Sequence, residues 1–168
     1  MGIASEDFLL LFPSNNHALK GADLILEALR DFDPRIKLVV AGKTHLNASN
    51  VINLGFCQNM PTLYGAADAV ILASQYEAFG LVGPEAVLCG TPALFANTVG
   101  AAEVLSDDAC IRFERTVPSL RSALTKALGK FEKGTLALQD PSSHIRYPYS
   151  PSQHFDVVFK LLATTKRR

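Results

Sequence analysis

Two glutamates, Glu77 and Glu85, stand eight residues apart in the segment Ser74-Gln75-Tyr76-Glu77-Ala78-Phe79-Gly80-Leu81-Val82-Gly83-Pro84-Glu85-Ala86. Gly80 and Gly83 permit a tight turn and a close approach of backbone to a ligand. Pro84 suits the first turn of a helix, where a missing N–H costs nothing. The N–H groups of Gly80, Leu81 and Val82 would then remain unsatisfied at a helix start, a setting that favours an anion such as a phosphate. Carboxylates beside that anion are repulsive unless they accept hydrogen bonds from neutral hydroxyls, and sugar and ribose hydroxyls are such donors. The chemistry implied is joint recognition of a sugar, a phosphate and a ribose. Lys20, in the turn after the first apolar run, adds a cation on the crevice side of a strand–helix junction.

The elements that must position these groups are marked by hydrophobic pattern. Phe8–Phe12, Ile36–Ala41, Val51–Phe56, Ala69–Ala73, Pro92–Ala96 and Cys110–Phe113 are short apolar runs of strand length. The run Ala69–Ala73 is continuously apolar, which suits a parallel strand covered on both faces. Between the runs lie amphipathic stretches. Lys20–Phe32 carries Leu24, Ile25, Ala28, Leu29 and Phe32 on one stripe, and Pro34 blocks its extension. Pro61–Ala67 reads as a helix capped near Asn59, Phe79–Leu88 as a turn and helix stopped by Gly90, and Ala101–Leu105 as a helical turn. Pro118–Phe131 and Ser152–Leu162 are further helices, and Lys133–Pro151 reads as irregular. The alternation predicts an α/β fold: a doubly wound, Rossmann-like parallel sheet of six strands with flanking helices, all within residues 1–168. Ligands of such sheets sit beyond the carboxyl ends of the strands. The segments Ser14–Lys20, Gly42–His45, Cys57–Gln58, Ser74–Leu81 and Asn97–Gly100 are therefore the candidates.

Composition narrows the function classes. The 168 residues are 48% hydrophobic and 19% charged, enough apolar content for a packed core and unlike a disordered chain. Sixteen basic residues balance sixteen acidic ones, which argues against a nucleic-acid partner held by a basic field. Cys57, Cys89 and Cys110 are widely spaced, as expected of reduced thiols in a cytoplasmic protein. No apolar run approaches the ~20 residues of a membrane span. The residues after Met1 have no basic n-region or secretory h-region, and Glu6 replaces the hydroxyl that myristoylation of Gly2 would require. Lys166-Arg167-Arg168 reads as a solvated basic tail.

Several familiar motifs fail on inspection. Gly42-Lys43-Thr44 resembles the end of a P-loop, but Lys37 occupies the place of its first glycine. Phe12-Pro13-Ser14-Asn15-Asn16-His17 replaces the glycine fingerprint of nicotinamide dehydrogenases. There is no GxSxG elbow. His17, His45, His144 and His154 have no metal-ligand spacing, and Ser14 and Asn15 stand where a response regulator would carry acids.

With these residues in view, the chain resembles retaining glycosyltransferases of the GT-B fold, family 4, also called group 1. Glu77…Glu85 in EAFGLVGPEA is similar to the family's E-x7-E motif. LKGADLILEAL from Leu19, KLVVAG from Lys37, VINLGF from Val51, LYGAADAVILAS from Leu63 and EAVLCGTPALFANTVGAAEVL from Glu85 resemble its flanking segments in order. SPSQHFDVVFKLL from Ser150 resembles the terminal helix, residues 150–165, which in the family packs back across a domain junction.

The resemblance implies a donor-binding lobe that handles a nucleotide-sugar, with UDP-linked hexose the expected donor and a glycan or lipopolysaccharide-type acceptor. Glu77 would meet donor-sugar hydroxyls. Phe79, Gly80, Leu81 and Val82 would present N–H groups to the diphosphate and sugar. Glu85 would hold ribose hydroxyls, Lys20 would neutralise the leaving diphosphate, and Gly42 and Phe56 would line the nucleobase region. Catalysis would rest on Lys20 and Glu77, with no metal or other cofactor. The acceptor-binding N-terminal Rossmann-like lobe is expected to lie outside this sequence, so the isolated chain would bind donor weakly and transfer sugar poorly. The full enzyme would be cytoplasmic, with peripheral membrane association open.

Three departures from the family pattern stand out. Asn15 occupies the position where many members carry an arginine, which would leave Lys20, aided by His17, to balance the diphosphate. Only Thr44–Asn50 separate the second and third strands, where the family has a helix. Val99-Gly100 replaces a glycine pair after the fifth strand. Alternative readings are a binding or regulatory subunit that completes an enzyme in trans, and half of a GT-B-type epimerase.

Overall fold

The computed structural model describes residues 3–146 and 150–164. Six parallel strands form one sheet: β1 (Phe8–Pro13), β2 (Ile36–Ala41), β3 (Val51–Gly55), β4 (Ala69–Leu72), β5 (Ala93–Ala96) and β6 (Cys110–Phe113). Their order in space is β3-β2-β1-β4-β5-β6. The chain works outward from β1 to β3, then returns to the other side of β1 to lay down β4. The order therefore reverses between β1 and β4, and a crevice opens at their carboxyl ends.

The helices are α1 (Ala22–Leu29), α2 (Met60–Ala66), α3 (Val82–Leu88), α4 (Val117–Glu132) and α5 (Pro151–Thr164). Short 3-10 turns occupy Gly100–Glu103 and Pro141–His144. One apolar cluster joins Phe8, Leu10 and Phe12 of β1 to Ile25 and Leu29 of α1 and Leu120 and Leu124 of α4. A second, smaller cluster joins Leu11, Val39 and Val70 to Tyr64 of α2 and Ala86 of α3. Alternate residues of β1 thus supply both clusters, as the period of two in a strand requires. The sheet is covered on both faces. At about 1.5–3 kcal/mol per fully buried large apolar side chain, these clusters supply the main driving force for the fold.

The predicted strands and helices are present with shifted ends. Lys20 is not in the first helix. That helix begins at Ala22, after Gly21 adopts a left-handed φ of 76°. A tight turn over residues 17–22 precedes it, with Ala22 N–H donating to the His17 carbonyl at 3.0 Å. Asn59 caps α2, its side chain accepting from Thr62 N–H at 3.2 Å. No helix forms between β2 and β3. The connection is a loop pinned by Asn53, whose amide accepts from Leu46 N–H at 3.0 Å and donates to the Leu46 carbonyl at 2.8 Å. In the expected irregular stretch, the described residues Pro141–His144 form a 3-10 turn.

The terminal helix forms as α5, but Phe155 and Phe159 on its apolar stripe are exposed. The basic tail 166–168 lies outside the described residues. Among the described residues, no helix is long and apolar enough to cross a membrane.

Candidate functional site

The loops after β1, β4 and β5 meet at the carboxyl edge of the sheet, and backbone hydrogen bonds stitch them together. Gln75 N–H donates to the Leu19 carbonyl at 3.0 Å, joining the loop after β1 to the loop after β4. Glu77 N–H donates to the Thr98 carbonyl at 3.2 Å, and Gly100 N–H returns to the Glu77 carbonyl at 3.0 Å. Phe79 is half-buried against the main core, and its carbonyl accepts from Ala101 N–H at 2.6 Å. The Val99-Gly100 departure thus lies in the segment that clamps the glutamate loop, with Gly100 packed against the Ala78 carbonyl.

Gly21 governs the other side of the crevice. A Cβ at this position would fall inside the van der Waals envelope of the Ala73 carbonyl at the end of β4. Its absence lets the turn after β1 lie directly on β4. Lys20 is thereby brought to Glu77, and the two side chains form an ion pair, each about one-quarter exposed. The cation and the first carboxylate of the motif, 57 residues apart in sequence, are partners across the switch point.

Glu85 lies exposed in the first turn of α3. Its Oε2 accepts a 2.8 Å hydrogen bond from the hydroxyl of Tyr64. Burial, and after it the adjoining Glu85 carboxylate, push the Tyr64 phenol well above its usual range, so it stays protonated and donates. The backbone turns at Gly80, φ 90°, and Leu81 caps α3. The N–H groups of Gly80 and Leu81 make no backbone hydrogen bond to another described residue. Val82, as first residue of the helix, has no intrahelical acceptor. Gly83 does not turn the chain. It lies within α3, where a Cβ would meet the Phe95 ring at 2.6 Å.

A cavity of about 420 Å³ opens beside these groups. Asn15, Lys20, Gly42, Phe56, Tyr64 and Val82 are among the residues lining it. The predicted residues from the first, second and third strand ends therefore share one cavity with Lys20. Glu77 and Glu85 join through their bonds to Lys20 and Tyr64. Phe56 is exposed at the β3 end, and Gly42 is buried against the Ser14 carbonyl. Two larger cavities, about 590 and 460 Å³, lie at the opposite, amino ends of the strands, away from the motif residues.

Two sequence expectations change. His17 was a candidate phosphate donor, but both its ring nitrogens are occupied by the loops. Nδ1 meets Ser14 Oγ at 2.9 Å, and Nε2 meets the Thr44 carbonyl at 3.0 Å and Thr44 Oγ1 at 2.8 Å. It ties the β1 and β2 loops together, an outcome invisible without knowing that Thr44 lies beside it. Asn15 makes a similar tie, its Oδ1 accepting from Lys43 N–H at 3.1 Å. Tyr64, which the sequence pattern does not single out, is a residue that sequence reasoning missed. Its position in LYGAAD of the helix before β4 was the available signal.

The strand order and this edge define a Rossmann-like α/β domain with a crevice at the switch point. Residues 1–132 match the family Glycosyl transferases group 1, and the chain belongs to that family. It is 34% identical over 155 residues to a probable transglycosylase of Burkholderia thailandensis, covering 89% of this chain and 43% of the relative. It is 30% identical over 126 residues to a D-inositol 3-phosphate glycosyltransferase of Xylanimonas cellulosilytica, covering 64% of this chain and 30% of the relative.

Among solved structures, Anabaena HepE in complex with UDP and glucose superposes with a TM-score of 0.74 at 20% identity, covering 95% of this chain and 49% of that one. WaaG, a glycosyltransferase involved in lipopolysaccharide biosynthesis, gives a TM-score of 0.74 at 21% identity, covering 98% and 49%. The chain therefore spans half or less of the length of these relatives.

Proposed function

We propose that this chain is the donor-binding lobe of a retaining glycosyltransferase that moves a hexose from a UDP-sugar to a glycan or lipopolysaccharide-type acceptor. The observation that carries the reading is the convergence of Lys20, Glu77 and Glu85 of the family motif at the β1/β4 switch point. The UDP held by HepE and the lipopolysaccharide role of WaaG, both of the same fold, support the donor and acceptor classes.

In this reading Lys20 exchanges Glu77 for the diphosphate and neutralises it as it leaves. The N–H groups of Gly80, Leu81 and Val82 supply fixed dipoles to the same charge. Freed from the lysine, Glu77 accepts from hydroxyls of the donor sugar. Glu85 accepts from the ribose, and Phe56 and Gly42 flank the base. Asn15, in the place of the family's arginine, contributes no charge. Retention follows a front-face course, in which the leaving phosphate helps deprotonate the acceptor and no protein nucleophile is needed. Lys20 and the helix-start dipoles do the work a divalent cation would otherwise do, so transfer is metal-independent.

The test is a calorimetric panel of UDP, GDP, ADP and their sugars against the chain and its Glu85→Ala variant. UDP compounds are expected to bind, with the variant weaker by about 1–3 kcal/mol. Equal binding by both proteins, or none by either, would overturn the reading.

A further inference from the structure

We infer that Tyr64 is a positioning residue for nucleotide recognition: its hydroxyl holds one oxygen of Glu85 so that the other faces the ribose. The inference deepens the donor-site reading above and rests on it. The starting observation is a mismatch of mobility. Glu85 is exposed in the first turn of a seven-residue helix, and a glutamate there has three side-chain torsions free to wander. Tyr64, in contrast, is 2% exposed and packed with Leu11, Val39, Ala41, Val70 and Ala86. Its own carbonyl accepts a 2.6 Å hydrogen bond from the Thr91 hydroxyl, which joins α2 to the segment leading into β5. The phenol oxygen is therefore a fixed point, and Tyr64 is among the residues lining the same cavity as Lys20, Gly42 and Phe56.

The 2.8 Å bond takes Glu85 Oε2 only. Oε1 makes no hydrogen bond to another described residue and remains an acceptor. The direction of the bond matters as well. A phenol kept protonated by burial donates to the carboxylate, so Glu85 is held as a pure acceptor and the incoming hydroxyl must be the donor. A ribose hydroxyl meets that demand. Tyr64 thus fixes both the place and the polarity of the contact without touching the ligand, and it lowers the ordering cost of binding.

The experiment is a binding comparison of UDP with 2′,3′-dideoxy-UDP in four proteins: the parent chain, Tyr64→Phe, Glu85→Ala and the double variant. Tyr64→Phe removes one oxygen and leaves the buried ring in place, and its thermal unfolding midpoint is measured alongside. UDP affinity is expected to fall roughly threefold to tenfold in Tyr64→Phe, the net scale of one ordinary hydrogen bond, since Tyr64 acts on the ligand only through Glu85. Affinity for the dideoxy ligand is expected not to change, and the effect on UDP should vanish when Glu85 is already alanine. An equal loss for both ligands would make Tyr64 a structural residue only and overturn the inference. So would unchanged UDP affinity in Tyr64→Phe while Glu85→Ala is weakened, and this result would leave the donor-site reading intact. Indifference of UDP binding to Glu85→Ala, or no binding by the parent chain, would overturn both.

Discussion

Asp68 shows how a single carboxylate can oppose the fold that holds it. It sits between α2 and β4, half-buried, and its Oδ2 accepts from Leu9 N–H at 2.7 Å. Desolvation is the dominant influence and raises its pKa above the ordinary 3.8; the backbone hydrogen bond offsets this in part. Between 3.8 and the raised value the native state binds more protons than the unfolded state, so stability falls as pH rises through that window. Asp68→Asn keeps an acceptor for Leu9 and removes the titration. The variant is expected to gain on the parent protein as pH rises from about 4, then hold a constant margin. Urea midpoints of both proteins across this range provide the check, and parallel profiles would contradict the account. Cys110 is shifted by the same cause: burial pushes its thiol up to about 12 and keeps it in the unreactive thiol form.

Among the elements, the turn between β1 and α1 carries the most consequence per residue. Gly21 combines a φ of 76° with a contact on the Ala73 carbonyl that leaves no room for a side chain. Gly21→Ala meets both obstacles, so the turn must lift from β4 and Lys20 must move away from Glu77. A loss of about 2 kcal/mol or more in unfolding free energy is expected from strain and displacement together. A matching drop in nucleotide affinity should accompany it, larger for UDP than for uridine because the diphosphate loses its cation. Denaturant titration and calorimetry measure the two effects. Unchanged stability would show that the turn accommodates a Cβ and that Gly21 is not what places Lys20. By comparison, the missing helix between β2 and β3 is a mild change. Asn53 closes the loop, and Phe56 and Gly42 still reach the cavity.

For the whole molecule, the decisive proportion is that this chain covers 43% of the Burkholderia relative and 49% of HepE. The crevice lies along one edge of one sheet, and no second sheet faces it among the described residues. We expect the chain by itself to bind a UDP-sugar while transferring sugar to acceptors very poorly, because a front-face reaction needs the acceptor held against the donor. A transfer assay with the isolated chain, run at donor concentrations that saturate the calorimetric signal, makes the check. Robust transfer would show that the chain provides its own acceptor site.

The amino-acid sequence by itself determined the alternation of strands and helices, the continuous apolarity of β4, the cap at Asn59 and the spacing of Glu77 and Glu85. These depend on neighbours within a few residues, where periodicity and turn chemistry act directly. The start of the first helix is not legible in the sequence, because a stripe of apolar side chains does not reveal that Gly21 takes a left-handed φ. Only the tertiary structure decided the β3-β2-β1-β4-β5-β6 order, the Lys20–Glu77 pair, the occupation of His17 by Ser14 and Thr44, and the bond from Tyr64 to Glu85. The three side-chain contacts that reach between elements join residues 57, 27 and 21 positions apart. A parallel sheet sets such distances through crossovers that let strands far apart in sequence lie side by side, so no local pattern encodes them.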